Sequence, residues 1–167
     1  MKINLFRIFL PVVLFLASLF IPANATITSE YDIQNKISQI QQLASLDFDQ
    51  FVNKPDLIGY RRANYKMFSA QYSSTANMTA EQLRTIYNQI LLLKNTSEIS
   101  DTDKTMQYNN LYFDADKILY NLDNQTLNYV NFCRNTMPTV TYQKFAKRFL
   151  AYYNSLQISG NELNLKW

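Results

Sequence analysis

The sequence predicts an all-α protein: a bundle of about six helices joined by short connections, preceded by a cleavable signal peptide. Three observations carry that reading. Apolar residues recur three and four positions apart through most of the chain, the period of an amphipathic helix. Only two glycines, Gly59 and Gly160, serve all the turns, and no Asn-Gly or Asp-Gly pair marks a tight hairpin. The stretches between periodic segments are a few residues long, which favours antiparallel neighbours and a closed bundle over a short helical solenoid.

The first element is the leader, Met1 to Ala25. Lys2 and Arg7 give it a cationic start, and Ile8 to Ile21 is apolar apart from Pro11 and Ser18. Pro22-Ala23-Asn24-Ala25 then supplies the small-x-small pattern that signal peptidase cuts, so cleavage is expected after Ala25. The apolar run falls short of the ~20 residues that cross a bilayer, which argues against an uncleaved anchor and against stable membrane insertion of the mature chain. Residues 26–167 form one domain by length. The predicted compartment is the periplasm or the outside of a bacterial cell.

Each helix has its own signature. From Glu30, the residues Ile33, Ile37, Ile40 and Ala44 form a narrow apolar seam flanked by glutamines and asparagines, and Phe48, Phe51 and Val52 extend it until Asn53-Lys54-Pro55. Asp56 caps a second helix, Leu57 to Tyr72, whose Leu57, Tyr65, Phe68 and Tyr72 share a face with Arg61. Ser73 to Asn77 reads as a polar linker. Thr79-Ala80-Glu81-Gln82 has the form of a capping box for a third helix, with Leu83, Ile86, Tyr87, Ile90 and Leu93 on its buried side.

Ser100 and Asp101 open a fourth helix, striped by Tyr108, Leu111, Tyr112, Ala115, Ile118, Leu119 and Leu122, and taken as the central packing helix. Asp123-Asn124 interrupts it, and a fifth, Gln125 to Asn135, carries Leu127, Val130 and Cys133. Pro138 suits the first turn of a sixth, lined by Tyr142, Phe145, Phe149, Tyr152, Tyr153 and Leu156. Gly160 stands where a left-handed cap belongs, and the alternating Leu163, Leu165 and Trp167 are expected to fold back onto the bundle.

Composition excludes much chemistry. With no histidine, the chain lacks Ser-His-Asp and Cys-His nucleophile pairs, histidine-ligated zinc and the commonest neutral-pH base. Cys133, the only cysteine, can form neither an internal disulfide nor a thiolate metal site, and is expected to be buried. No phosphate-cradling glycine loop is present, so no cofactor is expected. Two of the sixteen basic residues leave with the leader, so the mature charge is near neutral and gives no case for nucleic acid. Nor do the remaining basic residues form a run of the kind that targets anionic lipid. Asp101-Thr-Asp103 begins like a calcium loop, but Met106 stands where glycine is required and Tyr112 where glutamate is. Asp47/Asp49, Asp101/Asp103 and Asp114/Asp116 are each two apart, which on a helix points them away from one another.

Met78-Thr79-Ala80-Glu81-Gln82 resembles the Leu-Thr-x-x-Gln motif of the Spy/CpxP family of periplasmic helical chaperones, with Met for Leu, and Ile37-Ser38-Gln39-Ile40-Gln41 is a looser second copy. The resemblance implies an all-helical periplasmic protein with chaperone activity.

The expected function is therefore non-enzymatic: an exported helical protein that binds protein or peptide through an aromatic surface or groove. Twelve tyrosines supply the rings, and the candidate partner-binding residues are Arg61, Tyr65, Phe68 and Tyr72. The alternatives are a carboxylate-dependent hydrolase of the cell envelope and a Spy/CpxP-like chaperone. No catalytic, metal or cofactor residue is expected.

Overall fold

The structure, a computed structural model, describes residues 27–165; the expected leader Met1 to Ala25 and Trp167 of the tail lie outside them. Among the described residues the chain is all-α with no strand, but it has four α-helices, not six. They are α1 (Glu30–Ala44), α2 (Gly59–Asn95), α3 (Asp101–Arg134) and α4 (Thr139–Ser155), with two 3-10 turns, Phe48–Phe51 and Lys54–Asp56, between α1 and α2.

The count falls because two expected breaks are helical. Ser73 to Asn77 lies inside α2, which runs unbroken for 37 residues, about 55 Å at the usual rise. Thr79 does not cap a helix there. It is buried in mid-helix, and its hydroxyl donates to the Thr75 carbonyl at 2.9 Å. Asp123-Asn124 likewise lies within α3, where the Thr126 hydroxyl donates to the Leu122 carbonyl at 2.8 Å. Neither stretch contains proline or glycine, so nothing removes a backbone donor. The Thr79 and Thr126 hydroxyls bond back within the helix instead of competing with it. Ala76 and Ala80 are buried, and their small side chains let a neighbouring helix close over the expected linker.

Helix starts and stops follow capping chemistry, though not always at the expected residue. Ser29 accepts from the Asp32 amide at the head of α1, and Ser100 from the Asp103 amide at the head of α3. Asp56 does not cap α2; it lies in the 3-10 turn, and α2 begins after Ile58 without a side-chain cap. Past α4 the left-handed position next to the helix end belongs to Gln157 (φ 48°), and Gly160 (φ 76°) takes a second one in the turn that reverses the tail.

α2 and α3 form a long antiparallel hairpin closed by residues 96–100. α1 lies along the C-terminal half of α2, tied there by the Lys94–Glu30 ion pair at 2.6 Å. The stripe of the final helix does not centre on Tyr108–Leu122, the stretch that the sequence marks as the central packing helix. Phe145 and Phe149 pack instead on Tyr65 and Tyr72 of α2, on Tyr129 of α3, and on Phe48 and Phe51 of the first 3-10 turn. A turn that carries two phenylalanines brings more ring surface to α4 than the N-terminal half of α3, whose Tyr108, Leu111 and Tyr112 stay half-buried. The tail folds back as expected, with Asn154 of α4 exchanging two hydrogen bonds with the Leu163 backbone.

Candidate functional site

Three of the four residues expected to meet a partner lie in the core. The Tyr65 hydroxyl donates to the Phe48 carbonyl, the Tyr72 hydroxyl pairs with Thr126 at 2.7 Å, and Phe68 packs on Phe132. Tyr65 and Tyr72 are almost wholly buried, and that burial pushes both phenols well above their ordinary pKa. Arg61, on the first turn of α2, remains half-exposed.

Two acids on α3 are also buried. Asp123 accepts from the Tyr153 hydroxyl at 2.8 Å and from the Asn161 side chain at 2.9 Å, so it ties α3 to α4 and to the tail. Asp116 accepts from the Ile27 amide at 3.1 Å and holds the start of the described chain against α3. Burial raises the Asp116 carboxyl above its ordinary value, opposed by the Ile27 N–H and the nearby Lys36.

A groove of about 520 Å³ lies between α1 and α2. Its α1 wall is Tyr31, Gln34, Asn35 and Ser38, the polar flank beside the buried seam of Ile33, Ile37 and Ile40. Its α2 wall is Arg84, Tyr87 and Asn88, one turn of surface at the three-four spacing. The walls are joined across the groove, the Gln34 amide donating to the Tyr87 hydroxyl at 2.7 Å. Arg84 is engaged by Glu81 one turn earlier on the same helix, which leaves the lining close to neutral. Tyr31 is 73% exposed, its ring standing clear of the bundle.

Such a lining offers side-chain amides that both donate and accept, hydroxyls, and two amphipathic rings. The tyrosine and amide richness was plain in the sequence, but periodicity alone does not tell which polar flanks of two helices face each other. Two smaller openings of about 280 Å³ lie between α2 and α3, lined by Met78, Gln82, Asn121 and Asn124, and at the junction of α3 and α4, lined by Arg134, Thr139 and Tyr142. A broad shallow face on α2 includes Ala70, Asn77, Met78 and Glu81. Glu81 is the only carboxylate lining any of these four. Among the described residues no group of three or more Asp, Glu and Cys side chains is placed to hold a metal ion.

No protein-family model matches the chain, and neither a curated protein nor a solved structure does.

Proposed function

We propose that the mature chain is an exported, non-enzymatic helical protein that binds a protein or peptide segment in the groove between α1 and α2. The observation that supports this is the groove's lining, near-neutral and rich in amides, with Tyr31 exposed at its rim. A peptide backbone presents the same alternation of donor and acceptor as the Gln34, Asn35 and Asn88 side chains. Tyrosine adds contact area at a low cost in conformational entropy. Export to the periplasm or beyond rests on the leader, with cleavage after Ala25.

A carboxylate-dependent hydrolase needs two acids on one cleft, and no opening described above brings two together, so binding is the preferred reading. A Spy/CpxP-like chaperone is the second. It is favoured by Met78, which is 64% exposed beside Glu81 and Gln82 on α2. Capture from the native envelope tests the choice. Tyr31→Ala with Asn35→Ala should lower recovery of the partner about tenfold or more, the loss expected of central contacts, while Met78→Ser should not. The reverse pattern, with suppression of client aggregation lost in Met78→Ser, would favour the chaperone. Intact mass of the exported protein checks the cleavage point.

A further inference from the structure

The folded chain is electrically polarised along its length in a way the linear sequence does not display. The antiparallel hairpin puts the start of α2, the end of α3 and the start of α4 at one end of the molecule. Lys54, Arg61, Arg62 and Lys66 stand on the second 3-10 turn and the first two turns of α2. Arg134 closes α3, and Lys144, Lys147 and Arg148 follow on α4. At 1.5 Å per helical residue all eight lie within about 15 Å of that end. All but half-buried Arg61 are exposed. The acids of the same region are Asp47, Asp49 and Asp56, and Asp49 is already paired with Lys54 at 3.0 Å. The opposite end carries a small excess of acid, with Glu30, Glu98, Asp101 and Asp103 around the α2–α3 connection against Lys94 and Lys104, and Glu30 is paired with Lys94.

Large apolar side chains are exposed among these cations. Ile58 is 62% exposed, Tyr60 79% and Val140 63%, all at the extreme turns where α2 and α4 begin. Phe132 and Met67 are exposed one to two turns further in. Cations interleaved with an aromatic and aliphatic tip have the composition that lies at a bilayer interface, charge on the headgroups and apolar groups in the acyl boundary. No helix among the described residues is long and apolar enough to cross a membrane, so contact there would be peripheral.

We propose that this basic end docks the protein onto an anionic phospholipid surface, with Arg61, Lys144, Lys147 and Arg148 on the headgroups and Ile58, Tyr60 and Val140 in the interface. The tip is remote from the α1–α2 groove, which lies along the other half of α2, so a docked molecule would hold that groove away from the bilayer. The assignment does not depend on what the groove binds.

Co-sedimentation of the mature protein with vesicles of phosphatidylglycerol and phosphatidylcholine tests it, beside vesicles of phosphatidylcholine alone. The protein should pellet with the anionic vesicles at low salt, less at high salt, and not with the neutral ones. Arg61→Gln with Lys144→Gln should weaken the affinity about 25-fold, about fivefold per cation removed. Lys147→Gln with Arg148→Gln should do the same if the first pair disturbs folding, which far-UV circular dichroism reads. Ile58→Ser with Tyr60→Ser should weaken what binding remains at high salt. A protein that stays in solution with anionic vesicles overturns the proposal, as does binding untouched by all three variants. Equal affinity for soluble poly-glutamate also overturns it, giving the end to an acidic polypeptide.

Discussion

Asp116 and Cys133 show at the scale of single residues how burial sets chemistry. Asp116 accepts the Ile27 amide within the fold, and desolvation holds its carboxyl above the ordinary 3.8. A carboxyl whose pKa is raised by folding adds stability below its unfolded pKa and loses that contribution as pH rises through the folded value. Asp116→Asn keeps an oxygen for the Ile27 amide and removes the buried charge. Its stability relative to the wild type should therefore climb as pH rises above 3.8, in urea melts taken across that range. A difference flat with pH would mean that the carboxyl titrates alike folded and unfolded. Cys133 is fully buried beside Tyr129, and burial pushes its thiol up to about 12. Thiolate is the reactive form, so a thiol reagent should label the native protein only as fast as the chain opens. Labelling at the rate of the urea-unfolded protein would contradict the burial.

At the scale of elements the central fact is that α2 is one helix and not two joined by a linker. Ser74 decides between these descriptions, because it is exposed and lies in the middle of the expected linker. Proline in a helix interior removes a hydrogen bond and clashes with the preceding turn, at about 3 kcal/mol or more. Ser74→Pro should therefore lower stability by at least that amount in chemical denaturation. A polar linker would absorb the same change with little loss. The long helix also explains the two grooves on its flanks. A continuous α2 gives α1 and α3 a single wall to lie against, and the polar residues left at the margins form the openings.

For the whole molecule, the rings gather the chain into one core. Phe149 is fully buried and touches Phe48, Phe51, Tyr72, Tyr129 and Phe145, which come from the first 3-10 turn and from α2, α3 and α4. Its neighbours arrive from four separate segments, so the cavity left by truncation has little means of closing. Phe149→Ala should cost about 3–5 kcal/mol. Both wild type and variant should unfold in a single transition, seen alike by circular dichroism and fluorescence. A loss below about 1 kcal/mol, or an α4 that melts apart from the hairpin, would show that these rings do not join the elements.

The sequence by itself determined the helical class, the burial of nearly every apolar stripe, the single buried thiol and the folding back of the tail. These follow from a periodicity that places side chains on one face whatever the neighbour is. It broke two continuous helices and carried the first past its end at Ala44, where Phe48–Phe51 is a separate 3-10 turn. Serine, threonine and asparagine runs read as linkers when nothing reveals that Ala76, Thr79 and Thr126 face a packed neighbour. It also grouped Tyr65, Phe68 and Tyr72 with Arg61 because they share a helix face, without showing that other elements cover the three rings. Only tertiary structure decided which polar flanks of α1 and α2 meet as a groove, and which distant cations share an end. Those are pairings between segments far apart in the chain, set by how the stripes dock and not by any local pattern.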